Sequence, residues 1–205
     1  MGLYAVKPAF QQGLGGIERA LVRRRVHPDV LTVGAVVVSA LGGLALWGAN
    51  WAPWLLFVVP AAAMVRIALN ALDGLVARDL GVARPWGEVL NEMCDRVSDV
   101  ALFVGAALAP GSDARLGAAV LVVMLLSSYL GTAAKAAGGR RQYGGVMAKA
   151  DRMFELGGAA VLAFFLPGLP VMALALGVML AGLAVTLVQR ARSTYHDLHD
   201  SQPVR

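Results

Sequence analysis

Apolar residues run along this chain in six long blocks separated by short polar breaks. The blocks fall near residues 30–48, 52–72, 88–109, 114–134, 151–167 and 169–189. Each approaches the ~20 residues that an α-helix needs to cross a ~30 Å hydrocarbon layer. No stretch alternates with a period of two, and an open strand edge is not viable in lipid, so strands are not expected. The pattern predicts an all-α, polytopic integral membrane protein with six transmembrane helices. The fifth, bounded by Pro167 and Pro170, is the shortest. Ahead of them, residues 4–25 read as an amphipathic helix, with Phe10, Leu14, Ile17 and Leu21 on one face and Gln11, Glu18 and Arg19 elsewhere. This helix ends in Arg23-Arg24-Arg25, which suits a surface helix anchored on an anionic leaflet; the alternative is a helix packed on the protein's own surface. Pro28 and Asp29 fit the first turn of the first span. The organisation expected is a single membrane domain over 1–205: the juxtamembrane helix at 4–25, a six-helix bundle at 28–192, and a polar tail at 193–205 that frays. Neither an internal repeat nor a linker is visible.

Composition supports the membrane class. Of 205 residues, 58% are hydrophobic and 15% charged, against about 45–50% and ~25% in soluble domains; mean hydropathy is +0.66. A net charge of +5 raises nucleic-acid binding, but the places of the basic residues give a simpler reason. Lys7, Arg19 and Arg23 to Arg25 precede the first span. Arg78 and Arg84 fall between the second and third, Lys135, Arg140, Arg141, Lys149 and Arg152 between the fourth and fifth, and Arg190, Arg192 and Arg205 at the end. The opposite loops hold only Arg115. The positive-inside rule then puts both termini in the cytoplasm, in a multi-pass inner (cytoplasmic) membrane protein, and no nucleic-acid partner is expected. The lone Cys94 excludes an internal disulfide and a cysteine zinc cluster, and no cleavable signal peptide is expected. His196 and His199 stand three apart in the tail with no third ligand near them.

The candidate chemistry lies between Asn70 and Asp99. As helix, Asn70, Asp73 and Ala77 share one face, and after a polar break Gly87, Asn91, Asp95 and Asp99 line another. Carboxylates beside membrane spans are costly and need a cation, a metal or water. Oxygen-only ligands (Asn70, Asp73, Asn91, Asp95) favour hard cations such as Mg2+ or Mn2+, which usually also hold a substrate's phosphates. Gly74 and Gly87 leave room for a ligand at the backbone, Arg78 is placed to grip a phosphate, and Asp95 suits a general base. On spacing alone, an interhelical polar clamp remains the alternative.

These residues resemble the signature of the CDP-alcohol phosphotransferases, Asp-x2-Asp-Gly-x2-Ala-Arg-x8-Gly-x3-Asp-x3-Asp. The chain reads Asn70-x2-Asp73-Gly74-x2-Ala77-Arg78-x8-Gly87-x3-Asn91-x3-Asp95, with every spacing kept and six of eight residues matched. Six spans, an N-terminal surface helix and Pro28-x2-Leu31-Thr32 before the first span extend the resemblance over nearly the whole chain. It implies transfer of a phosphoalcohol group, usually phosphatidyl, from a CDP-linked lipid such as CDP-diacylglycerol to an alcohol acceptor, with release of CMP. It implies two divalent ions on the donor diphosphate, Asp95 as the base, and Asp73 as a metal ligand. Thr32, Gly74, Ala77, Arg78 and Gly87 would line the CDP, and the protein would be a homodimer. Lys135, Arg152 and Arg190 are similar to the residues of members that take a phosphorylated acceptor; ordinary positive-inside loop charge is the alternative.

Asn70 and Asn91 depart from the pattern, each replacing a carboxylate with a neutral amide. Three consequences are open: Glu88 and Glu92 on an adjoining face make up the charge, the site holds one ion instead of two, or catalysis is lost and the chain only binds a CDP-lipid as a scaffold. Arg66, one turn before Asn70, and Asp99, one turn after Asp95, are expected to face each other as a buried ion pair; alternatively Arg66 lends positive charge to the site. Arg96 is expected to reach a different partner. A transporter is disfavoured, because the polar residues gather at one end and not at the midplane.

Overall fold

The computed structural model describes residues 7–200. Those residues form α1 (Lys7–Gly13), α2 (Gly15–Arg23), α3 (Pro28–Gly48), a 3-10 turn at Pro53–Phe57 leading into α4 (Val58–Asp79), α5 (Pro85–Ala107), α6 (Ala114–Ala136), α7 (Lys149–Phe165) and α8 (Val171–Asp200), with no strand among them. Among the described residues, four stretches are long and apolar enough to cross a membrane: Pro28–Gly48, Pro53–Asp79, Ala114–Ala136 and Val171–His199. The chain is a multi-pass membrane protein. α5 differs in carrying Glu88, Glu92, Asp95, Arg96 and Asp99, and α7 in its 17 residues with four charges near the start.

Packing follows two groups of three. α3 packs on α4 and α5, while α6 and α7 each pack on α8; α4 against α7 and α5 against α6 join the groups. Lipid offers no hydrophobic drive between helices, so close backbone approach and shape must hold them. α3 and α5 show this most clearly. A Cβ built on Gly105 would lie 2.2 Å from the Gly43 carbonyl oxygen, and one built on Gly43 would lie 2.2 Å from that of Ala101. Gly105→Val is expected to force the helices apart and lower the thermal midpoint in detergent by about 5–10 °C; an unchanged midpoint would show that the crossing can open without cost. Elsewhere the core is filled by Phe103, Leu156, Leu176 and the flexible Met124, Met153, Met172 and Met179, which suit the irregular gaps between helices.

The N-terminal segment differs from one helix over 4–25. Residues 4–6 lie outside the described residues, and the rest is two helices that meet at Leu14, where Gly13, Gly15 and Gly16 weaken helix propagation. Leu14 is buried, and Phe10, Leu21, Val22 and Val26 pack with Leu31, Leu72 and Val76. Only Ile17 of the four face residues is exposed. The apolar face is therefore spent mainly on α3 and α4, as in the alternative of a helix packed on the protein's own surface.

The C-terminal segment is also corrected. α8 does not fray after Arg192 but stays helical to Asp200; residues 201–205 lie outside the described residues. Tertiary contacts hold it. Asp197 accepts from the Arg140 backbone N–H at 2.5 Å and lies 3.3 Å from its Nε. Thr194 is buried, and the Tyr195 and His199 rings stack at 4.0 Å.

Candidate active site

The motif falls on both sides of one tight turn. α4 carries Asn70, Asp73, Gly74, Ala77 and Arg78 in its last turns. Gly81, with φ +65°, reverses the chain, a left-handed conformation that suits glycine. Arg84 is extended before Pro85, which opens α5, as proline at a first helical position requires. Gly87, Asn91 and Asp95 then follow on the first turns of α5.

The two helices meet through reciprocal amide–carboxylate bonds. The Asn91 amide of α5 donates to Asp73 Oδ2 of α4 at 3.1 Å, and the Asn70 amide of α4 donates to Asp95 Oδ1 of α5 at 3.1 Å. Thr32, reaching from α3, also donates to Asp73 Oδ2 at 3.1 Å. All four motif oxygen-bearing residues are thus brought together. Four carboxylates would repel one another until a cation arrived, whereas two amides and two carboxylates satisfy each other. Lys149, the first residue of α7, adds a contact that sequence reasoning missed: its Nζ lies 2.5 Å from Asp95 Oδ1. Reading Lys149 as loop charge gave no sign of this.

Beside the cluster opens a cavity of about 500 Å³, lined by Thr32, Asp73, Gly74, Ala77, Arg78, Gly87 and Asn91. This is the size range of small-molecule sites. The Arg78 guanidinium lies over Gly74, where a built Cβ would be 3.6 Å from Nη1. His27, Asp29, Arg84 and Glu88 complete the wall. Arg84 closes it by an ion pair with Asp29 at 2.5 Å, tying the turn before α5 to the start of α3. Asn70 and Asp95 stand one helical turn farther into the bundle than Asp73 and Asn91.

A hard divalent cation fits these donors. Asp73 Oδ1 is buried with no hydrogen-bond partner, a costly state for a carboxylate oxygen unless a ligand satisfies it. The amide oxygens of Asn70 and Asn91 add neutral ligands of the type that Mg2+ and Mn2+ accept. Among the described residues no group of three His, Cys, Asp or Glu could hold a metal; the donor set here depends on its amides.

Deeper charges are paired among themselves. Arg66 and Asp99, both fully buried, meet at 2.5 Å. Arg96, on the same helix as Asp99, does not go to a separate partner alone: it donates to Ser128 but also lies 3.4 Å from Asp99. Arg152 adds a third guanidinium at 3.8 Å. Glu88 is bound to Lys135 and Glu92 to Arg141, so neither glutamate is left over to replace the missing carboxylates. Of the three residues considered for the acceptor, Lys135 is therefore engaged with Glu88. Arg152 donates to the Met147 carbonyl at 3.2 Å, and Arg190 donates to those of Ser127, Tyr143 and Gly144 at 2.9–3.2 Å.

Fold and site together define a class: a helical membrane protein with a cation-ready oxygen cluster on the wall of a nucleotide-sized cavity at its basic end. No family model matches the chain. Among curated proteins it is 37% identical over 163 residues to the inner membrane protein YnbA of Escherichia coli, covering 78% of this chain and 81% of that one. It is 30% identical over 197 residues to the phosphatidylinositol phosphate synthase of Mycobacterium tuberculosis, covering 92% and 88%. The crystal structure of the M. tuberculosis synthase with CDP-DAG bound superposes with a TM-score of 0.74 at 26% identity, covering 93% of this chain and 97% of that one. Its complex with manganese and citrate gives the same score and identity. The chain belongs to the CDP-alcohol phosphatidyltransferase family.

Proposed function

We propose that this protein transfers a phosphatidyl group from CDP-diacylglycerol to an alcohol in phospholipid synthesis, releasing CMP, at the cavity between α3, α4 and α5. The observation that carries the reading is the joining of Asp73, Asn91, Gly74, Arg78 and Gly87 on one cavity wall, with Asp95 one turn behind. Thr32, Gly74, Ala77, Arg78 and Gly87 would line the CDP, and the guanidinium of Arg78 would face its phosphates. Asp73 and Asn91, on the cavity wall, would hold Mg2+ or Mn2+, with Asn70 and Asp95 one turn behind them. When bound, such an ion screens the diphosphate and stabilises charge on the departing CMP. Asp95 Oδ1 is taken by Asn70 and Lys149, which leaves Oδ2 to accept the proton of the acceptor hydroxyl. The freed oxygen forms its bond to the phosphatidyl phosphorus as the bond to CMP breaks, and CMP leaves with the electron pair.

The basic residues at the site's end support a cytoplasm-facing cavity in an inner membrane, with both termini on that side. Six spans are part of the reading. α5 turns Val89, Met93, Val97, Val100 and Val104 outward, an apolar stripe suited to lipid or to a second copy in a homodimer, while Asp95, Arg96 and Asp99 lie on its better-buried side. An acceptor bearing phosphate would have to draw Lys135, Arg152 or Arg190 from present partners.

The test is CMP release by purified protein from labelled CDP-diacylglycerol with a panel of alcohols, including phosphorylated ones. Release is expected with Mg2+ or Mn2+ and is expected to fall to background, at least ~100-fold, after chelation. Donor binding without turnover for any acceptor or ion would favour a CDP-lipid binding or scaffold protein, the reading that Asn70 and Asn91 would then support.

A further inference from the structure

Resting on the transferase reading, we propose that the Lys149 ammonium takes the place of one of the two divalent ions of the family pattern, so that this chain works with a single ion. Three observations converge. First, Asn70 and Asn91 leave the four-residue set with the charge of two carboxylates, and Glu88 and Glu92 are bound to Lys135 and Arg141 instead of making up the loss. Second, Lys149 Nζ sits 2.5 Å from Asp95 Oδ1, delivered by the first turn of α7 from across the bundle. Asp95 Oδ2 also has Arg96 at 3.8 Å. A divalent ion on Asp95 would have to share that carboxylate with a tethered positive charge, and like charges at such range repel strongly where water is scarce. Third, Asp73 lies one turn away with no basic side chain hydrogen-bonded to it, and its Oδ1 is buried and unsatisfied. The cluster is therefore divided: an open half at Asp73 and Asn91, next to the cavity, for one ion, and a half at Asp95 already filled by a side-chain cation.

Lys149 is on this account a positioning residue. It supplies fixed positive charge at Asp95 and restricts that carboxylate to one orientation, with Oδ1 held and Oδ2 beside Arg96 at 3.8 Å. The missing carboxylates and the added ammonium are then two sides of one change, since both lower the need for a second ion.

Manganese binding tests this apart from turnover. Full-length protein in detergent, with CDP as the soluble probe, is titrated with Mn2+ and followed by electron paramagnetic resonance. The expected result is one Mn2+ per chain with the spectrum of an isolated ion. Lys149→Arg should keep this, and Lys149→Met should tighten the single site on the order of tenfold by removing a neighbouring positive charge. Asn70→Asp/Asn91→Asp/Lys149→Met should take up two ions with a spin-coupled spectrum, while Asn70→Asp/Asn91→Asp with Lys149 retained should stay at one. Two coupled ions in the unaltered protein would overturn the proposal, whatever the variants do. So would no Mn2+ binding at all, or an affinity in Lys149→Met equal to the original. Metal-dependent CMP release beside two bound ions would sink this proposal alone; one bound ion without CMP release for any acceptor would sink the transferase reading alone.

Discussion

Asp95→Asn is expected to lower CMP release at least ~1,000-fold while leaving the donor's KM within a few-fold. The substitution keeps size and keeps an oxygen to accept from Lys149, so the cluster should hold its shape. What it removes is the ability to take a proton, and general-base catalysis contributes roughly 10²–10⁴-fold. Steady-state kinetics with CDP-diacylglycerol would check this. A variant with near-normal kcat would move the base elsewhere and leave Asp95 with only a binding or structural part.

The second large effect is on folding. Asp99→Ala would strip the carboxylate from Arg66, Arg96 and Arg152, which lie 2.5, 3.4 and 3.8 Å from it. Arg66 is fully buried, and a buried charge that loses its partner costs about 3–5 kcal/mol. The variant should be recovered poorly and melt far below the original in detergent. Removing both charges, as in Arg66→Met/Asp99→Leu, should cost much less than Asp99→Ala alone, because no uncompensated charge would remain. If the single and double variants melt together near the original, the cluster is not holding the bundle.

The Arg66–Asp99 contact shows how far register can carry. Knowing that α4 runs toward the site and α5 away from it, one turn on each side of Asn70 and Asp95 sets the two residues at similar depth. Depth does not tell rotation. Arg96 is three residues from Asp99 and was expected to look elsewhere, yet it bends back to the same carboxylate. Arg152 reaches it from α7, a helix distant in sequence. Long basic side chains choose partners by what is unpaired within reach, and that follows from packing.

The amphipathic segment and the tail show the same limit. Their patterns mark one apolar face and one polar run. Whether an apolar face meets lipid or protein depends on what else is nearby, and here Leu31, Leu72 and Val76 are. A polar run beyond Arg192 has little drive to stay helical alone, but Asp197 and Thr194 find partners or burial across the fold.

By itself the sequence determined the all-helical membrane class, the near-complete set of helices and the motif on either side of one turn. Helix length and polarity are local properties, and a lipid solvent leaves few alternatives for them. Beyond Arg66 and Asp99, tertiary structure alone decided which charges meet: Glu88 and Glu92 on basic partners, and above all Lys149 on Asp95. Such pairings join residues 47 to 54 positions apart. They depend on how helices are rotated and spaced, for which no local pattern in the chain is a sufficient guide.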